Sequence, residues 1–124
     1  MKLYHYSNED FEIVSPKFFG TNQHSFGAAR DSEVPRSYFY LNKDDREKFF
    51  RGAKYRYTVG VNQNEIYDLQ FDELNLFNKR SYTLDDILKE LKKRKFIGFR
   101  FSNSETREVV ALFYPQKIIE KEIL

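Results

Sequence analysis

The chain contains no cysteine, so it has neither a disulfide framework nor a thiolate that could ligate a metal or attack a substrate. Its two histidines, His5 and His24, fall short of a histidine-rich zinc site, although carboxylates could complete one. We therefore expect no metal. No run of 18 apolar residues occurs, and the N-terminus has the pattern of a strand rather than of a signal peptide. These absences predict a cytoplasmic protein, of the producing or a host cell, with no membrane contact.

A strong charge of one sign is also missing, since 21 basic and 19 acidic side chains give a net charge of +2. That balance does not demand a nucleic-acid partner. The length of 124 residues predicts a single domain, residues 1–124, which can bury a core without cross-links.

Aromatic residues are abundant instead. Thirteen Phe and nine Tyr, with no Trp, make up 18% of the chain, and a core must account for most of them. Such rings supply a large buried area to a small domain, and they also supply flat faces on which planar ligands stack.

The pattern along the chain predicts an α+β domain with largely antiparallel sheets and two or three short helices. Alternation and aromatic enrichment predict strands at 3–7, 37–41, 55–61, 65–69, 96–101 and 107–114, with an edge strand at 118–124. A short helix is predicted over 43–51. The clearest helix follows Thr83, which is an N-cap with acidic residues in the next turn and apolar residues at 84, 87, 88 and 91.

Residues 18–36 have no clear periodicity but contain three phenylalanines. Long irregular segments in compact domains are often functional. Two interpretations stay open here, a loop that covers a ligand and irregular packing.

Three separate strands carry side chains suited to a site. His5 shares a strand face with Leu3 and Ser7, whereas Tyr38 and Tyr40, two apart, share a face of another strand. Glu108 begins an apolar strand, where a carboxylate is costly unless it is paired, and such placement often marks a site. The structural alternatives are a half-buried His5 satisfied by a backbone group and a solvent-exposed Glu108.

In the order of its segments the chain resembles the ADP-ribosyltransferase superfamily, of the branch whose triad is His, Tyr and Glu. Residues 3–7 are similar to that family's first-strand motif, and residues 37–41 to its Tyr-Phe strand. Residues 55–61 with 66–69, residues 88–101, and Glu108 to Val110 with 115–118 resemble the later segments in sequence order. The resemblance spans almost the whole chain and implies an ADP-ribosyltransferase-like split fold of largely antiparallel sheets.

The resemblance also implies NAD as a substrate. Cleavage of the bond between nicotinamide and ribose develops positive charge on the ribose, which a carboxylate stabilises; by resemblance this is Glu108. His5 would hydrogen-bond the adenosine-side ribose, and Tyr38 would stack on the nicotinamide ring. The remaining NAD-binding candidates are Tyr6 through its backbone, Ser7, Tyr40 as the same-face alternate to Tyr38, and Asn22, Arg30 and Arg36 as pyrophosphate donors.

Two departures from the family pattern bear on these roles. Tyr6 is large where the family has a small residue, although only its backbone is needed. Glu108 lies seven residues before Pro115 rather than the expected six. A β-bulge could absorb this difference; otherwise Glu105 is the carboxylate, or the site has no catalytic acid. Thr106 stands where arginine-modifying members carry Glu or Gln, which disfavours that mechanism.

The favoured function is therefore an NAD-dependent ADP-ribosyltransferase that modifies a macromolecule. The expected target is a protein, and the enzyme is expected to act as a toxin, effector or phage-borne host modifier. One alternative is a catalytically inactive module of the same fold that binds a nucleotide or protein partner. The other is a nucleic-acid-binding protein that uses the basic helix end at 89–95, a run that also suits a solvated helix C-terminus.

Overall fold

The computed structural model describes residues 1–16, 34–43, 52–78, 83–103 and 107–124. Nine strands and one α-helix lie in these ranges, with 3-10 turns at Gln63–Glu65 and Leu76–Asn78. The strands are β1 (Lys2–Ser7), β2 (Ile13–Val14), β3 (Ser37–Tyr40), β4 (Tyr55–Gly60), β5 (Ile66–Asp68), β6 (Gly98–Asn103), β7 (Arg107–Leu112), β8 (Gln116–Lys117) and β9 (Glu120–Ile123), and the helix is α1 (Leu84–Lys93). The helix predicted over 43–51 lies outside the described residues, except for residue 43.

Seven strands form one sheet in the order β5-β6-β7-β3-β1-β4-β9, and β2 pairs with β8 in a small ribbon. The pairings are antiparallel except for β5 with β6, which is parallel. The largely antiparallel, strand-dominated architecture expected from the sequence is thus confirmed. The described residues hold a single α-helix rather than two or three, and the parallel pair was not foreseen.

The sheet consists of two well-paired halves. In one half, β3 pairs with β7 over four register positions, and in the other β1 pairs with β4 over six. Between the halves, β1 and β3 share one register position, Tyr4 opposite Tyr40. We call this junction the seam. Both strands lie wholly within the described residues.

Helix α1 covers one face of the sheet. The Thr83 hydroxyl accepts a hydrogen bond from the Asp86 backbone N–H, and the Asp86 carboxylate accepts one from the Thr83 N–H, which completes the expected capping box. Ile87, Leu88 and Leu91 are buried against side chains of β5, β6 and the end of β7. The apolar spacing therefore predicted both the helix and its packing face.

The opposite face carries a second core that crosses the seam. Leu3, Tyr57 and Val59 come from the β1–β4 half, and Phe39, Val110 and Leu112 come from the β3–β7 half. Side-chain packing thus joins the two halves where few backbone pairs do.

Strand β6 begins at Gly98, two residues later than predicted. A Cβ atom at this position would lie 2.0 Å from the Ala111 carbonyl oxygen, so only glycine allows β6 to approach β7 this closely.

None of the described helices is long and apolar enough to cross a membrane.

Candidate functional site

His5 lies on β1, one residue from the seam, and its imidazole is half-buried on the face of the second core. Its ring centroid is 5.3 Å from that of Phe39 and 6.4 Å from those of Phe11 and Tyr57. Period-2 alternation on β1 places His5 there together with Leu3, as expected. The histidine therefore sits in an aromatic enclosure built from both halves of the sheet.

A backbone group holds the His5 ring. Nδ1 lies 2.6 Å from the Tyr38 carbonyl oxygen, and because a carbonyl only accepts, Nδ1 carries the hydrogen in this bond. Burial lowers the pKa of His5 below its ordinary value and outweighs the hydrogen bond to Tyr38, which raises it. In the neutral ring, Nε2 is then the acceptor, and a hydroxyl could donate to it.

Tyr38 meets His5 through its backbone only. Neighbouring residues of a strand point to opposite faces, and the Tyr38 ring packs on the helix side together with Tyr6 and Tyr40. Its hydroxyl accepts a hydrogen bond of 2.9 Å from Arg36 Nε. Burial raises the pKa of Tyr38, and the neighbouring Arg36 opposes that rise. The structure thus does not place the Tyr38 ring beside His5.

The other tyrosine candidates belong to the same helix-side face. The Tyr6 hydroxyl donates to the Lys43 carbonyl at 2.6 Å, and the Tyr6 and Tyr40 rings lie 6.1 Å apart. Tyr40 is therefore no closer to the His5 face than Tyr38 is. The Ser7 hydroxyl accepts from the Glu9 backbone N–H at 3.0 Å, which closes the turn after β1.

Glu108 does share the face of His5. Tyr4, Tyr40 and Val109 form one row across the seam, and Glu108 and His5 lie on opposite sides of that row. Two strand spacings across the sheet and two residues along the strands separate their backbones, roughly 12 Å in all. A ligand would have to bridge this distance to touch both side chains.

The Glu108 carboxylate is paired with Arg100 and partly exposed to solvent. Arg100 Nη2 donates to it at 2.6 Å and Ser102 Oγ lies 3.3 Å away, while the Glu108 side chain is 43% exposed. Exposure of this degree removes the desolvation that the sequence suggested. The carboxylate is held by a neighbouring strand rather than buried without a partner.

The predicted phosphate donors are not assembled in the described part of the chain. Arg36 is buried, and its Nη1 donates to the Val34 carbonyl at 2.9 Å while Nε donates to Tyr38. Asn22, Arg30 and the alternative carboxylate Glu105 lie outside the described residues. Within those residues, no three His, Asp or Glu side chains are grouped in a way that could hold a metal ion.

Sequence reasoning missed Arg100 as the partner of Glu108. The β6–β7 register sets Ser102 opposite Glu108 and Arg100 opposite Val110, on the same face, so Arg100 reaches the carboxylate diagonally. The strands predicted at 96–101 and 107–114 contained this signal, but the length of the turn between them, which fixes their register, could not be read from residues 102–107.

Comparisons of the chain with family models, with curated proteins and with solved structures found no match.

Proposed function

We propose that the protein is an NAD-dependent ADP-ribosyltransferase with an ADP-ribosyltransferase-like split fold. In this proposal the seam between β1 and β3 is the split that receives the dinucleotide. The support is that the strands carrying His5, Tyr38 and Glu108 are consecutive in the sheet, in the order β1-β3-β7. The segments that resemble the family are far apart in sequence and adjacent in space.

The observation that carries the proposal is the state of His5. Its Nδ1 is committed to the Tyr38 carbonyl, and burial favours the neutral ring. Nε2 therefore offers a lone pair to a ribose hydroxyl beside the seam. We assign Tyr38 the role of orienting His5 through its carbonyl, and we assign the aromatic wall on this face to Phe39 in place of the Tyr38 ring.

Glu108 supplies the carboxylate in this mechanism. As the bond from ribose C1′ to nicotinamide breaks, its electron pair leaves with nicotinamide and positive charge grows on the ribose. The Glu108 carboxylate stabilises that charge while the nucleophile of the target protein bonds to C1′, and the proton of that nucleophile passes to Glu108. Arg100 holds the carboxylate before the ligand arrives and has to release one oxygen to it.

A second candidate function, nucleotide binding without catalysis, is favoured by the Arg100–Glu108 ion pair. At 2.6 Å this contact is a charge-assisted hydrogen bond. If Glu108 stays paired with Arg100, its carboxylate does not stabilise positive charge on the ribose. His5 then takes part in binding the nucleotide, without catalysis.

NAD binding and nicotinamide release, measured on the same samples, separate these functions. For a transferase we expect the wild type to bind NAD and release nicotinamide. We expect His5→Ala to bind NAD more weakly, and Glu108→Gln to bind it with release slowed on the order of 100-fold or more. Glu12→Gln, a change of charge at an exposed glutamate, is the matched control and should behave as the wild type.

Other outcomes decide against the transferase. Binding by the wild type without nicotinamide release, and unchanged in Glu108→Gln, would establish the binding module. If folded wild-type protein binds no NAD, the transferase and an NAD-binding module are both excluded. Thermal melts of each variant distinguish a lost site from a lost fold.

A further inference from the structure

Basic residues are concentrated at the C-terminal end of α1. We call this surface the basic helix end, and it consists of Lys89, Lys92, Lys93, Arg94 and Lys95. It lies at the C-terminus of α1, on the face of the sheet opposite His5. Residues 89–95 hold five basic side chains and one acidic side chain, Glu90, a net charge of +4 against +2 for the whole chain. The rest of the protein is therefore net negative, and positive charge is concentrated here.

Complementing the helix dipole explains only part of this concentration. Cations in the last turn are favourable, and Arg94 also pairs with Glu90 at 2.9 Å. Lys89 and Lys93, however, are four residues apart on one helix face, where like charges repel. Within the described ranges, Lys93 and Lys95 have no acidic side chain within ion-pair distance.

The backbone at Lys95 is a separate, unfavourable feature. The Phe96 N–H donates to the Leu91 carbonyl at 3.0 Å and the Lys95 N–H to the Lys92 carbonyl at 3.1 Å, the two bonds of a Schellman motif. Lys95 occupies the left-handed position of that motif with φ +72°, where glycine is the usual residue. A lysine at this position costs more conformational free energy than a glycine would.

An exposed aromatic ring adjoins these lysines. Lys92 Nζ lies 5.8 Å from the centroid of the Phe113 ring and 5.5 Å from that of Tyr114. Tyr114 is 41% exposed, whereas Phe113 is buried beneath the helix. The Lys92 ammonium group and an accessible tyrosine ring thus lie next to each other.

We propose that the basic helix end and Tyr114 form a binding surface for single-stranded nucleic acid. The ammonium groups of Lys93 and Lys95 contact backbone phosphates, and an unpaired base packs against the Tyr114 ring. The net negative remainder of the protein confines a polyanion to this end. This surface does not depend on NAD, because it lies on the other side of the sheet from His5.

The test is binding of fluorescently labelled oligothymidylate as a function of salt. We expect wild-type affinity to fall as salt rises, and Lys93→Gln with Lys95→Gln to reduce the slope of log K against log salt by about 1.4. That value follows because each phosphate contact on a single strand contributes about 0.7. Lys2→Gln with Lys54→Gln makes the same change of net charge at exposed residues elsewhere and should keep the wild-type slope.

The base contact is tested with Tyr114→Leu. We expect this variant to bind oligothymidylate more weakly while its binding of heparin, a polyanion without bases, is unchanged. The proposal is overturned if the wild type does not bind oligothymidylate at low salt, or if the Lys2 and Lys54 control loses as much affinity as the helix-end variant. If Tyr114→Leu binds both oligothymidylate and heparin as tightly as the wild type does, the surface binds polyanions in general. That result would also refute the proposal.

Discussion

A single hydrogen bond determines how His5 can act. The sequence predicted its strand and its face, and it named a backbone partner as the structural alternative. It did not say which strand would supply the carbonyl, because Tyr38 is 33 residues away and meets His5 only through the sheet order. The same bond fits both a structural histidine and one that is oriented to bind a ligand. The two differ in whether Nε2 accepts a hydrogen bond from a ligand.

His5 should make stability depend on pH. Because burial holds its folded pKa below the ordinary value of 6.5, the unfolded chain binds a proton in a range where the folded protein does not. Above about pH 6.5 the protonation of His5 does not change the free energy of unfolding. Below that pH it lowers the free energy of unfolding, by at most about 1.4 kcal/mol per pH unit.

Urea unfolding of wild type and His5→Gln across this range measures the effect. The variant should lose this part of the pH dependence, whereas His24→Gln should keep it. Parallel curves for wild type and His5→Gln would show that His5 is protonated equally in both states.

At the scale of elements, α1 was the most predictable part of the chain. Its cap, its acidic first turn and its apolar spacing are local signals, and local hydrogen bonds and one buried stripe are enough to specify a helix. The start of β6 was less predictable. Phe96 and Ile97 have strand character, but the Schellman motif at Lys95 and the close approach at Gly98 delay the strand.

Lys95→Gly should stabilise the protein by about 0.5–1 kcal/mol. Glycine relieves the left-handed conformation of Lys95, and the greater entropy of the unfolded chain offsets part of the gain. Chemical denaturation measures the change.

Lys89→Gly, in the interior of the helix, is the opposing control and should cost about 1 kcal/mol. A loss of stability in Lys95→Gly would mean that the lysine side chain stabilises the helix end.

At the scale of the whole molecule, the seam is joined by side chains more than by backbone pairs. One register position connects β1 with β3, yet the core behind it contains residues of both halves. Such a junction can open locally for a ligand while the protein unfolds as one unit.

Leu3→Ala tests this coupling, because Leu3 is fully buried in the core that crosses the seam. We expect a loss of about 3 kcal/mol, typical of a leucine deleted from a packed core, with unfolding still a single transition. Fluorescence and circular dichroism followed through the same urea titration report on it.

The exposed neighbour Lys2→Ala should change the free energy of unfolding by less than about 0.5 kcal/mol. Two separated transitions in Leu3→Ala would instead show that the halves are independent folding units.

Local patterns in the sequence predicted most strands of the seven-stranded sheet, the helix α1 and the face of His5, because periodicity and capping are local signals. The tertiary structure made β1, β3 and β7 neighbours, turned the Tyr38 ring away from His5 and set Arg100 against Glu108. These facts depend on strand order and register, which long-range packing fixes and which no short segment encodes.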